Sequence, residues 1–361
     1  MSISYQAVQW NKHKRVYDTI LALGVIVYIG VFVGAGMALW SGDASAHPVT
    51  LLMRATSTCA FVLLTLILAI GPLARLSPRF SPLLYNRRHL GVTMFLVAFI
   101  HGGIAIFWYH GFGVVNPIVS VFTSNANYLP QAGQGWRGWL AGFPYQPLGV
   151  FALTGLFLMA ATSHDFWLKN LSPRAWKNLH TLVYPVYGLL VLHITLGFLQ
   201  DEVHTIYAVL LGASSVLIVT LHLIAGIREA KIESTHTAGD DGWIDVADME
   251  DIPNDRAKVV CLRGQERIAV FKHGNKISAV SNVCAHQNGP LGEGKVVDGC
   301  ITCPWHGYQY LPHNGQSPPP FNEKIPTYQV RVIDRRIQVN PTANEPGTHV
   351  EPTEIGGGPD A

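Results

Sequence analysis

Cys284-Ala285-His286-Gln287-Asn288-Gly289-Pro290-Leu291-Gly292-Glu293-Gly294, followed by Cys303-Pro304-Trp305-His306-Gly307-Tyr308, decides how the second half of this 361-residue chain is read. Each stretch offers one thiolate and one imidazole. Cys284 goes with His286 and Cys303 with His306, with sixteen residues between the pairs. Zinc takes Cys2His2 sets, but its usual spacings pair like with like, C-x2-4-C and H-x3-5-H. Unlike ligands in tight C-x-H and C-x2-H loops suit a [2Fe–2S] cluster, with two cysteines on one iron and two histidines on the other. Zinc, or coincidence, is the weaker reading of the same four residues.

Around these loops run short alternating stretches: Lys258 to Leu262, Arg267 to Phe271, Lys276 to Val280 and Tyr328 to Ile333. Gly and Asn punctuate them, so a small all-β domain is expected over 242–340. Residues 231–241 read as a linker. The tail 341–361, rich in Pro, Gly and Glu, is expected to be disordered. Over 242–340 the chain closely resembles the ferredoxin-type Rieske domain, through both ligand loops and Gly315-Gln316-Ser317-Pro318-Pro319-Pro320-Phe321. The resemblance implies a cluster held by Cys284, His286, Cys303 and His306, with Pro304, Trp305, Tyr308 and Tyr310 around it. High-potential relatives carry a bracing cysteine in each loop, and this chain has Gly289 and Trp305 in those places. Tyr308 replaces the serine that bonds a sulfide there, and Tyr310 remains able to donate to a cysteine sulfur. Fewer hydrogen bonds to sulfur imply a potential nearer about −150 mV than +300 mV.

The first half has a different composition. Residues 1–230 hold 13 Lys/Arg against 6 Asp/Glu, and residues 231–361 hold 12 against 17. Charged residues are only 13% of the chain and mean hydropathy is +0.24, where soluble chains carry about 25% charged residues. Six apolar segments reach the ~20 residues that a bilayer crossing requires: 16–40, 50–73, 90–109, 147–166, 180–199 and 205–227. The fold class read from the sequence is therefore a six-helix transmembrane bundle over 16–230, followed by a small all-β domain. Residues 1–15 form a cytoplasmic N-terminus. Ala44-Ser45-Ala46 mimics a signal cleavage site, but the first apolar run is too long and five more follow it.

Twelve Lys/Arg lie on one side of these segments, and Arg54 and Arg137 on the other. That asymmetry places both termini and the β domain in the cytoplasm of a multi-pass membrane protein; the membrane expected for it is a bacterial inner membrane. The outward loop near 110–146, with Trp136, Trp139 and Tyr145, reads as an interfacial aromatic belt, or else as a docking site. Nucleic acid is excluded as a partner, because no basic face carries interleaved aromatics. Five cysteines are too few and too irregular for a disulfide framework. Cys59, Cys261 and Cys300 read as small buried hydrophobes.

Ionisable residues inside a span are functional candidates. His101 lies mid-helix, twelve residues after His89, and His193 lies thirteen after His180. Each spacing is about 18–20 Å along a helix axis. The two helices run the same way, so His101 and His193 share one depth, and His89 and His180 another. Haem iron takes histidine ligands, and one or two b haems could be held between the helices. His89, after Arg87-Arg88, could equally lie among headgroups. Arg54 could meet a haem propionate or snorkel to the interface.

Gly71-Pro72-Leu73-Ala74-Arg75, then Arg87-Arg88-His89-Leu90-Gly91 on to His101, then Thr162-Ser163 and Trp176 to Tyr184 on to His193, resemble the ferric-reductase-like transmembrane family. That family includes the haem subunit of the bacterial methionine sulfoxide reductase system and the NADPH oxidases. The resemblance implies electron passage through b-type haem, with His101, His180 and His193 as ligands. Together the halves suggest a membrane electron-transfer protein with no catalytic residues of its own. A soluble cytoplasmic reductase or ferredoxin would reduce the cluster. A protein, quinone, ferric iron or oxygen at or beyond the outer face would take the electron. No G-x-G-x-x-G between strand and helix marks a nicotinamide or flavin site. Two alternatives are a quinol-oxidising donor that feeds a soluble partner and a haem-free, membrane-tethered Rieske ferredoxin.

Overall fold

The computed structural model describes residues 12–39, 47–123, 145–164, 167, 171, 173–201, 204–234, 238–262, 266–286, 289–305 and 307–355. The chain divides into two compact units, Met1–Ala69 with Arg88–Val219, and Ile70–Arg87 with Thr220–Ala361.

The helices are α1 (Lys12–Leu39), α2 (Pro48–Leu76), α3 (Arg87–His110), α4 (Pro117–Thr123) and α5 (Tyr145–Ala161). They continue as α6 (Pro173–His180), α7 (Val183–Leu196), α8 (Phe198–Asp201) and α9 (Thr205–Ser234). Pro48 opens α2 at the position where a missing N–H costs nothing. Five stretches are long and apolar enough to cross a membrane: Lys14–Leu39, Pro48–Leu76, Arg87–His110, Asn178–Gln200 and Thr205–Lys231. Of the sixth expected span, 147–166, residues 147–161 lie in α5, an apolar helix of 17 residues that is shorter than the other five, and residues 165 and 166 lie outside the described residues. Apolar side chains such as Ile26, Val31, Phe99 and Val216 stand outward, as lipid-facing positions should.

The expected span 180–199 lies within the apolar stretch Asn178–Gln200. His180 ends α6 and Val183 begins α7, and the Thr181 and Leu182 N–H groups carry the helical turn between them by donating to the Asn178 and Leu179 carbonyls at 3.2 and 3.1 Å. Pro185 lies in the first turn of α7, where its absent N–H is tolerated.

The β unit contains β1 (Ile244–Asp248), β2 (Arg256–Val260), β3 (Ile268–His273), β4 (Lys276–Ser281), β5 (Lys295–Val297) and β6 (Cys300–Thr302). After these come β7 (Gln309–Tyr310), β8 (Thr327–Tyr328), β9 (Val330–Ile333), β10 (Arg336–Val339) and β11 (Thr353–Glu354). One sheet has the order β1-β10-β9 and another β11-β4-β3-β2, with β8 also on β4. Ile244, Ile252, Val260, Val270, Ile277, Ile337 and Val339 close the core between them. A small sheet, β5-β6-β7, stands apart from these. Its first hairpin turns on Asp298-Gly299, both at positive φ, the geometry that two-residue hairpin loops favour.

The tail also departs from expectation. Residues 341–355 are ordered against the β unit. The Asn344 and Val350 N–H groups donate to the Thr327 and His313 carbonyls, and β11 pairs with β4. Composition alone cannot reveal this, because the tail is held by backbone hydrogen bonds to a partner already folded.

Candidate metal and haem centres

The first cysteine loop leaves β4 and is pinched shut by a bridge between Val283 and Pro290. The Cys284 N–H donates to the Gly289 carbonyl at 2.9 Å. The second loop joins β6 to β7, where the Cys303 N–H donates to the Tyr308 carbonyl at 2.7 Å and the Gly307 N–H to the Cys303 carbonyl at 3.0 Å. Both cysteines are buried in one apolar cluster with Leu291, Ile301, Tyr308, Tyr310 and Ile325, and Trp305 packs on its flank. Gly289 faces Cys303 so closely that a Cβ there would sit 2.7 Å from the sulfur and 3.3 Å from the Trp305 ring. The loops therefore close by packing, and among the described residues no disulfide joins them.

The His286 ring stacks on Tyr308 with centroids 4.7 Å apart and planes 11° from parallel, and its Nδ1 is buried. Tyr308 donates to the Glu323 carboxylate. Burial, then Glu323, pushes the Tyr308 phenol well above its ordinary range. Tyr310 is fully buried with its hydroxyl 3.3 Å from Cys284 Sγ. Burial, and then the Cys284 sulfur, raise its pKa too. Pro304 is buried. The structure thus brings Cys284, His286, Cys303, Pro304, Trp305, Tyr308 and Tyr310 together, while His306 lies outside the described residues. Among the described residues no three His, Cys, Asp or Glu side chains are grouped around a single metal ion. Two buried sulfurs, a ring nitrogen facing inward and a phenol beside one sulfur fit a cluster held by pairs of ligands.

The helical unit carries the other candidates. The His101 Nδ1–H donates to the Met53 carbonyl at 3.1 Å, and the His193 Nδ1–H to the Tyr145 carbonyl at 2.8 Å. A backbone acceptor on Nδ1 fixes the tautomer and leaves the lone pair of Nε2 available for a metal. Gly149 is the clearance for His193, since a Cβ there would lie 2.8 Å from Cε1. This pair fits a haem held between two helices.

His89 follows the same pattern with a stronger acceptor. Its Nδ1 lies 2.8 and 3.0 Å from the two Asp18 oxygens. His180 differs, because its Nε2 lies 3.3 Å from the Thr162 hydroxyl. That hydroxyl already donates to the Leu158 carbonyl at 2.6 Å, so Nε2–H is the donor. Trp176 stacks on the His180 ring at 3.9 Å. The Arg54 guanidinium stands 5.3 Å from the centre of the Phe198 ring.

Several residues escaped the sequence reading. Glu323, Met53, Tyr145 and Gly149 carry no local signal. Asp18 did carry one, being an acid inside an apolar span. Cys59 and Cys261 are buried, whereas Cys300 is only half-buried, and burial beside Asp298 raises its thiol pKa. Of the outward loop, residues 124–144 lie outside the described residues.

Comparison with known proteins matches residues 56–191 to the ferric reductase like transmembrane component and residues 242–329 to the Rieske [2Fe-2S] domain. The chain joins a ferric-reductase-like transmembrane domain to a Rieske [2Fe-2S] domain. The Rieske domain is 36% identical over 80 residues to the anthranilate 1,2-dioxygenase ferredoxin subunit of Burkholderia cepacia, 22% of this chain and 74% of that one. The membrane domain is 26% identical over 186 residues to the protein-methionine-sulfoxide reductase heme-binding subunit MsrQ of Polaromonas naphthalenivorans, 51% of this chain and 74% of that one. Among solved structures, a carbazole 1,9a-dioxygenase complex of oxygenase and ferredoxin aligns over 29% of this chain and 98% of the other, at 23% identity and a TM-score of 0.28.

Proposed function

We propose that this protein carries single electrons between a [2Fe–2S] cluster and membrane-embedded b-type haem. In this reading Cys284, His286, Cys303 and His306 hold the cluster. His101 and His193 hold one haem, and His89 with His180 a second, for which His180 turns away from Thr162. When bound, the cluster and the haems each take up and release one electron at a time. The observation that carries the reading is the matched setting of His101 and His193, each with Nδ1–H on a backbone carbonyl. The relatives' names agree with it, one being a ferredoxin subunit and the other a heme-binding subunit.

The chain's own residues do the positioning. Tyr310 sets the electrostatics at one sulfur, Gly289 keeps the loops close, and Met53 and Tyr145 fix two imidazole tautomers. In this reading the bundle has six spans, α5 being the sixth; its 17 residues cover about 26 Å at 1.5 Å each, which supports a crossing near the lower length limit. Both termini and the Rieske domain are cytoplasmic in the same reading, which the lysine and arginine asymmetry supports, and the membrane is a bacterial inner membrane, in keeping with the bacterial MsrQ relative. A soluble reductase or ferredoxin there reduces the cluster, and electrons leave towards an acceptor at the outer face.

The test is haem per cluster on detergent-purified protein, by pyridine haemochrome with iron and sulfide analysis, followed by a potentiometric titration. One or two haems per cluster, with haem at higher potential than the cluster, is the expected result. Haem at lower potential would reverse the direction in favour of quinol oxidation. Absence of haem, under ample haem supply, would leave a tethered ferredoxin.

A further inference from the structure

The candidate haem histidines are not equivalent, and the difference lies in what each Nδ1 faces. His101 and His193 donate to neutral backbone carbonyls at 3.1 and 2.8 Å. His89 donates to a carboxylate, with both Asp18 oxygens within 3.0 Å. Asp18 lies on α1 and His89 in the first turn of α3, and both side chains are about one-quarter exposed. An acid on an apolar span is costly unless a partner justifies it. Residues 1–230 contain only 6 acids.

We infer that Asp18 is a positioning residue which, acting through His89, makes the haem at that site the lower-potential of the two. The inference rests on the reading of His89 as a haem ligand. A carboxylate behind a ligating imidazole holds the ring with Nε2 outward and increases its basicity. A more basic ligand with negative charge behind it favours the ferric over the ferrous state, because oxidation adds a positive charge that the carboxylate offsets. Second-sphere hydrogen bonding is one of the protein's main controls on haem potential. No proton or bond changes hands in this step. The haem exchanges one electron with its neighbour, and Asp18 biases which of the two keeps it. His89 is twelve residues before His101 on α3, about 18 Å along the axis. The bias therefore runs along the helix, from the Arg87-Arg88 end towards His101.

The experiment is a spectroelectrochemical titration of the full-length, haem-loaded protein and its Asp18→Asn, Asp18→Glu and His89→Ala variants, with haem counted by pyridine haemochrome. The wild type should show two haem waves, and His89→Ala should lose the lower one. Asp18→Asn should keep the upper wave in place and move the lower one upwards, with haem affinity at that site weakened about 10–100-fold. Asp18→Glu should restore the wild-type position. Two unmoved waves in Asp18→Asn would overturn the inference. If Asp18→Asn loses one haem outright, recovery of that haem at its wild-type potential in Asp18→Glu supports the inference, and loss in both variants overturns it. A wild type with one haem, untouched by His89→Ala, overturns the inference but leaves the His101–His193 site standing. A wild type without haem removes the proposed function itself.

Discussion

The Tyr310 hydroxyl lies 3.3 Å from Cys284 Sγ, in a position where the phenol is fully buried. Once the sulfur is a metal-bound thiolate, only the hydroxyl can donate. Such a bond stabilises the more negative, reduced cluster. Tyr310→Phe should keep the cluster and lower its midpoint potential. A net hydrogen bond of about 1 kcal/mol corresponds to roughly 40 mV for one electron. A redox titration followed by EPR checks the shift, and an unchanged potential would show that the hydroxyl does not reach the sulfur in the loaded protein.

Cys303 is buried in the Rieske core, while the candidate haem histidines belong to a separate compact unit. Cys303→Ser should therefore abolish the cluster's EPR signal and leave the haem absorbance intact. Loss of both signals would mean that the two units fold interdependently.

His193 is held from two sides, by the Tyr145 carbonyl at 2.8 Å and by the bare face of Gly149. His193→Ala should remove at least one haem and leave the cluster unaffected. Gly149→Ala should lower haem occupancy as well, because the new methyl would overlap the imidazole. Pyridine haemochrome against acid-labile sulfide measures both, and full haem in His193→Ala would dismiss it as a ligand.

Glu293 follows the first cysteine loop, and its carboxyl is pushed up to about 7 by burial and by Glu229, against the pull of Arg75, Arg267 and Arg87. The Arg75 Nε stands 3.8 Å away. The folded protein then holds a proton that the unfolded chain releases near the ordinary carboxylate pKa, so stability falls as pH rises from about 4.5 to 7. Glu293→Gln should flatten that decline. The temperature at which the cluster's visible CD is lost, compared at pH 5.5 and 8, reads it out, and parallel slopes in mutant and parent would count against the assignment.

The legible parts of this molecule were those where chemistry sets the spacing. The C-x-H and C-x2-H loops at Cys284 and Cys303 announce a Rieske domain, because they pair unlike ligands where zinc sites pair like ones. Apolar runs of membrane length announce helices for a similar reason. The less legible parts depend on what the chain meets after folding. Between His180 and Val183 the helix tightens to bonds three residues back, ahead of Pro185, a local change that apolar length does not reveal. The tail through Glu354 looks unstructured by composition and yet completes a sheet edge. Asp18 and Glu323 find their partners 71 and 15 residues away, and no local pattern encodes such distances.

The closeness of Gly289 to Cys303 has one more consequence. Where a covalent bridge holds two cluster loops together, a strong thiol reductant can cut it, and the site's geometry depends on its compartment's thiol–disulfide poise. Here the loops meet through a bare glycine face, an indole and hydrogen bonds, with no disulfide among the described residues. Glutathione has nothing there to reduce, so the shape of the pocket should not depend on how reducing its surroundings are.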